Sequence, residues 1–154
     1  MSRERPAAAS GAHGAVREQE ALAHAVLNAL RTEVAVLDEA GTIVAVNRAW
    51  LDFGLANGAD AQRIGPGVSY REVCEQGERA GAEAAREFCA GLRAVMSGEQ
   101  REFAMDYPFP TPSELRWFLG RVTRAPGDGP TYFAVAHEDI IIGLREALLL
   151  SRFP

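Results

Sequence analysis

Cysteine is scarce in this chain of 154 residues: only Cys74 and Cys89 occur, and they are not in CxxC spacing. That usage points to a reducing, cytoplasmic setting rather than an oxidising one. Long apolar runs are missing as well. No stretch approaches the roughly 20 residues that a membrane span requires, and the longest, near the C-terminus, is broken by Gly143, Arg145 and Glu146. Residues 1–15 carry Arg3 and Arg5 but no hydrophobic centre, which excludes a secretory signal. There is no run of basic residues, and the formal net charge is -5. A broad nucleic-acid surface needs clustered Lys and Arg, so nucleic-acid binding is not expected. The three histidines, His13, His24 and His137, show no metal-ligand spacing, and no metal site is expected. Gly65-Pro66-Gly67 lacks the following Lys-Ser/Thr of a phosphate loop, and no Ser/His/Asp order appears.

What is present suits one globular domain with modest extensions. Hydrophobic residues make up 47% of the chain and charged ones 24%, interspersed, enough apolar material for a core and too much for wholesale disorder. Residues 1–15, rich in Ala, Gly, Ser and Arg, read as a flexible leader. Over 16–31, Leu22, Val26, Leu27 and Leu30 recur at three- and four-residue steps between charged neighbours, predicting a flanking helix with a thin apolar face. Two β-rich runs, residues 33–38 and 41–46, surround an Asp38-Glu39-Ala40-Gly41 turn and predict a hairpin. Asn47 then stands where a helix N-cap is wanted, ahead of a short helix over 48–56.

Residues 59–77 read as irregular, with a short helical turn around Tyr70 to Cys74. A long amphipathic helix follows from about Glu78 to Ser97. Its apolar face is Ala85, Phe88, Cys89, Leu92, Val95 and Met96, and Gly98 supplies a C-terminal cap. Three strands come next: 101–107, 114–123 and 131–137, with a proline-rich loop at 108–112. The last two are apolar on both faces, so something must cover the second face of the sheet: the helix at 16–31 or a partner subunit. A helical run from Ile140 to about Leu150 carries a seam of Ile141, Leu144 and Leu148.

The order is helix, two strands, short helices, a long helix, three strands and a terminal helix. With Gly41-Thr42-Ile43-Val44-Ala45-Val46-Asn47-Arg48-Ala49-Trp50, Arg116-Trp117-Phe118-Leu119-Gly120-Arg121-Val122-Thr123 and His137-Glu138-Asp139-Ile140 at domain spacing, residues 31–145 resemble the Per-Arnt-Sim (PAS) sensory domains of bacterial signalling proteins. One departure is Ile141 where such domains carry Thr.

The resemblance implies an α+β fold: a five-stranded antiparallel sheet with helices packed on one face, a PAS domain at 32–139, and flanking helices at 16–31 and 140–154. It implies a sensor in which a small organic ligand or partner alters the space between sheet and long helix. The terminal helices then carry the change to a fused or associated output such as a histidine kinase. Pocket candidates are Phe88, Cys89 and Leu92 from the helix and Phe103, Met105, Tyr107, Trp117 and Leu119 from the sheet; the alternative is that these simply fill the core. Relay candidates are His137, Glu138, Asp139, Ile141, Leu144 and Leu148, and a homodimer is expected through the flanking helices and outer sheet face.

The cofactor stays unknown: the long helix offers no His for haem, and neither cysteine has the Asn-Cys-Arg-Phe context of photoactive flavin domains. No catalytic residue is expected. Two rival readings stand beside the sensor, a ligand-free dimerisation module and a small proton-transfer enzyme using Asp106, Tyr107, His137, Glu138 or Asp139.

Overall fold

A computed structural model describes residues 8–110 and 113–140. Chain reversal begins at Asp38, whose Oδ1 accepts hydrogen bonds from the amides of Ala40 (2.9 Å) and Thr42 (3.0 Å). Gly41 takes a left-handed φ of 86° that a side chain would resist, so β1 (Glu33–Leu37) turns back as β2 (Ile43–Val46). Asn47 caps α2 (Arg48–Ala56) by accepting from the Trp50 amide, and Asp60 caps α3 (Ala61–Ile64) in the same way through Gln62. Ser69 caps α4 (Tyr70–Arg79), after which α5 (Glu83–Ser97) runs to Gly98 at φ 87°. The strands β3 (Glu102–Pro110), β4 (Leu115–Arg124) and β5 (Phe133–Asp139) complete an antiparallel sheet of order β2-β1-β5-β4-β3. The expected α+β architecture is the observed one.

Helix α5 lies over β3 and β4 on one face of this sheet, with α4 packed against α5 and α2 beside β1. Leu37, Ile43, Phe88, Leu92, Val95, Val122, Phe133 and Val135 are buried between the layers. Close approach depends on glycine: a Cβ at Gly91 would stand 2.1 Å from the Phe103 ring, so α5 could not settle on β3 with any other residue there unless that ring moved.

Three boundaries differ from expectation. The helix predicted from Glu78 is two helices, because Gly81 adopts a φ of 85° and breaks the chain between Arg79 and Glu83. The strand expected to stop at Tyr107 runs through Pro108 to Pro110; β3 is an edge strand, where half the backbone N–H groups face away from the ladder and a missing donor is tolerated. The flanking helix α1 spans Ala8–Ala29, so it starts inside the segment read as a flexible leader. Its Val16, Leu22 and Val26 are exposed, as is Leu30 just past its end, and it meets the domain at α2 rather than covering the sheet. The helix expected from Ile140 onward, with Ile141, Leu144 and Leu148, lies outside the described residues. Among the described residues no helix is long and apolar enough to cross a membrane.

Candidate functional site

The sheet face under the helices follows strand parity. On β5 the side chains of Phe133, Val135, His137 and Asp139 point inward; on β1 it is Glu33, Ala35 and Leu37. Two polar residues, Glu33 and His137, thus share a face with core hydrophobes and sit opposite each other in the ladder. On β3 the inward set is Phe103, Met105, Tyr107 and Phe109, and on β4 it is Phe118, Gly120 and Val122. Gly120 pairs with His137 across the β4–β5 ladder. A Cβ there would lie 2.9 Å from Phe88 and 3.2 Å from Tyr107, so the missing side chain makes the space in which those rings reach the histidine.

His137 is the hub. The Tyr107 hydroxyl lies 2.6 Å from its Nδ1 and the Tyr70 hydroxyl 3.3 Å from its Nε2. Rings of Phe88, Trp50 and Tyr107 surround it with centroids 5.4, 5.8 and 5.8 Å away. Burial pushes its pKa down from 6.5 to about 4, so the imidazole is neutral at physiological pH. The same burial raises the Tyr70 and Tyr107 hydroxyls well above the ordinary phenol range and keeps both protonated.

Three cavities meet at His137. The largest, about 500 Å³, opens between α4, α5 and the end of β3, and Tyr70, Cys74, Phe88, Tyr107 and Phe109 are among its walls. Two of about 200 Å³ lie on the α2 side, one beside Trp50 and Ile64, the other beside Arg116 and Asp139. Trp50 is fixed there by its Nε1–H, which donates to the Ile64 carbonyl at 2.8 Å. Glu33 borders both smaller cavities. Its carboxyl is pushed up to about 8, first by burial and then by the neighbouring Asp139 charge, with Arg116 opposing. It therefore carries its proton at neutral pH. Burial likewise raises the Cys74 and Cys89 thiols, which makes them weak nucleophiles. Among the described residues no group of three or more His, Cys, Asp and Glu is set to hold a metal ion.

Of the residues picked as pocket candidates, Phe88 and Tyr107 line the large cavity. Cys89 and Leu92 are buried in the core, and Phe103 and Met105 pack against it. Trp117 and Leu119 are not in the pocket: they stand on the opposite face of β4, Trp117 being 42% exposed, while Phe118 takes the inward place at 3%. Among the relay candidates His137 is in the cavity wall, Glu138 is exposed on the outer face, and Asp139 ends β5 with Oδ2 3.9 Å from Arg116 Nη1. Tyr70, Glu33 and Trp50 went unrecognised in the sequence. Strand parity with Ala35 and Leu37 was a usable signal for Glu33; nothing local marked Tyr70 as the partner of a histidine so distant in the chain.

A second linkage ties the site to α1. The Asn47 side chain is fully buried and makes four hydrogen bonds. Its Oδ1 accepts from the amides of Val34 and Trp50, both at 3.0 Å, and its Nδ2 donates to the carbonyls of Thr32 (2.7 Å) and Leu27 (3.0 Å). The end of α1, β1 and α2 are joined through one side chain.

A family model described as the PAS fold matches residues 27–140. An uncharacterized 104.1 kDa protein in the hypE 3′ region of Rhodobacter capsulatus is 40% identical over 100 residues, covering 64% of this chain and 10% of that protein. The chain thus spans about a tenth of that relative's length. Among solved structures, the PAS domain of Bordetella pertussis BvgS is similar with a TM-score of 0.58 and 16% identity, over 92% of this chain and 99% of that one. A phage VqmA–DPO complex is similar with a TM-score of 0.55 and 18% identity, over 92% of this chain and 62% of that one. At these identities the likeness to the solved structures is one of fold.

Proposed function

This chain belongs to the PAS-fold family, and we propose that it is a non-catalytic sensory module that binds a small organic molecule in the cavity at His137. The observation that carries this reading is the cavity of about 500 Å³, of ligand size, whose polar wall joins His137 of β5 to Tyr107 of β3 and Tyr70 of α4. Occupation would favour one packing of helices on sheet over another, and β5 runs from His137 directly to Asp139 and the chain beyond. Asn47 offers a second route, to α1. We propose a fused or associated signalling output, such as a histidine kinase, as the receiver, and a cytoplasmic location for the domain. Both ring nitrogens of His137 are engaged by tyrosine hydroxyls, which favours a binding role over proton transfer to a substrate.

Native mass spectrometry of freshly purified protein tests this reading. A retained small molecule, lost in Ala84→Phe at the cavity wall, is the expected result. A protein that retains no small molecule and binds none from a mixed library of aromatic and aliphatic compounds would refute it.

One observation favours a dimerisation role as well. Leu22 and Val26 are exposed at helical spacing along α1, with Leu30 exposed just beyond its end, a seam that a second copy of the chain would cover. Light scattering should give a dimer for the native chain and a monomer for Leu22→Glu with Val26→Glu; an unchanged dimer would remove α1 from the interface.

A further inference from the structure

The hydrogen-bond chain through His137 restricts what the large cavity can hold. A neutral imidazole has one N–H and one bare nitrogen. One tyrosine must therefore donate to it and the other accept from it. The short contact, 2.6 Å, suits the Tyr107 hydroxyl donating to Nδ1, which leaves Nε2–H to donate to the Tyr70 oxygen. The Tyr70 hydrogen is then uncommitted within the triad, and the Cys74 thiol beside it is a weak acceptor. Tyr70 and Cys74 both line the cavity. The remaining walls are Phe88, Phe109, Pro108 and small aliphatic residues, and none of the described lining residues is Arg, Asp or Glu. An anion would find no cation there and a cation no carboxylate, and burying either unpaired is strongly unfavourable.

We propose that the cavity selects an uncharged, largely aromatic molecule bearing one hydrogen-bond acceptor, a carbonyl oxygen or a bare ring nitrogen, which receives the Tyr70 hydroxyl hydrogen. The inference rests on the sensory reading above, which places a ligand in this cavity, and adds the chemistry by which it is chosen. Tyr70 is the specificity-determining residue, and His137 and Tyr107 fix the direction in which its hydrogen points. Rings of Phe88, Tyr107 and Phe109 supply the faces against which a flat ligand stacks.

Three probes of one skeleton test it: 2-acetylnaphthalene, 2-ethylnaphthalene and 2-naphthoate, titrated into the whole chain and followed by saturation-transfer and chemical-shift NMR. The ketone should bind roughly tenfold more tightly than the ethyl compound, the worth of one buried hydrogen bond, and the carboxylate should not bind. In Tyr70→Phe the ketone should fall to the level of the ethyl compound, whose own affinity stays unchanged and reports an intact cavity. Equal affinities for ketone and ethyl compound, binding of the carboxylate as tight as the ketone, or a ketone preference that survives in Tyr70→Phe would each overturn the inference while leaving a ligand-binding cavity in place. Failure of both the ketone and the ethyl compound to bind would overturn the inference, while the sensory reading would stand or fall on the retained-ligand and mixed-library test above.

Discussion

Asn47 donates from Nδ2 to the carbonyl oxygen of Leu27 at 3.0 Å, so the last turn of the flanking helix is held by a residue that belongs to the domain body. The same side chain caps α2 and holds the Val34 amide of β1. Asn47→Ala strands several polar groups at once and removes a cap. Its expected cost is between about 2 and 5 kcal/mol in denaturant unfolding, with faster amide exchange at the C-terminal turns of α1. A loss below about 0.5 kcal/mol, the level of an ordinary surface change, would mean that α1 is not anchored through this residue.

Face assignment on β4 gives a second prediction. Phe118 packs against Tyr107, Phe53 and Phe109, with centroids 5.9, 5.2 and 5.9 Å away. Phe118→Ala should cost about 3–5 kcal/mol, whereas Trp117→Ala in the monomer should cost under about 1 kcal/mol. Thermal or urea unfolding of the two variants compares them directly, and reversed costs would mean that the strand parity is wrong.

Much of the fold was legible because local chemistry and global packing agree. The α5 stripe of Phe88, Cys89, Leu92 and Val95 is the buried face, and Gly98 ends that helix as a left-handed cap. Asn47 caps α2 as its position required. What was hidden depends on partners distant in the chain. On β4 both faces are apolar in sequence, so alternation cannot say which one is buried; the choice is made by Gly120, whose bare backbone gives Phe88 and Tyr107 their room. The α4–α5 break turns on one glycine φ within a continuous pattern of helix formers. The Tyr70–His137–Tyr107 chain joins a helix and two strands, and no local spacing encodes such a meeting. Trp117 and Leu119 were misplaced for the first of these reasons.

Opposite pKa shifts give the domain a definite pH response. The neutral form of His137 is favoured on folding, with a pKa moved from 6.5 to about 4, so its contribution is present above 6.5 and is lost as pH falls toward 4. For Glu33 the protonated form is favoured, with a pKa moved from 4.5 to about 8, so its contribution is present below 4.5 and is lost as pH rises toward 8. Between 4.5 and 6.5 the two slopes oppose each other, and from 6.5 to 8 Glu33 acts alone. Thermal melts should show stability falling by about 1–2 kcal/mol over that upper window, partial exposure reducing the full linkage value. Glu33→Gln should flatten that limb and leave the acid-side loss from His137 unopposed. An unaltered upper limb in the variant would mean that Glu33 is ionised in the folded domain at neutral pH.

The role of Gly120 can be read from one added methyl. Gly120→Ala should cost about 1–3 kcal/mol through the contacts forced on Phe88 and Tyr107. It should also weaken binding of 2-acetylnaphthalene, because those rings must move into the cavity. Native affinity in this variant would show that their placement does not shape the site.

Nitrogen-15 spectra of the His137 imidazole, recorded with and without 2-acetylnaphthalene, test most directly whether a molecule in the cavity is felt along β5. The free protein should show one protonated and one bare ring nitrogen at neutral pH, titrating only near pH 4. Binding should shift the Nε2 resonance and the backbone amides from His137 to Asp139 together. A charged imidazolium at neutral pH, or bound ligand that leaves His137 and the end of β5 unmoved, would contradict the account.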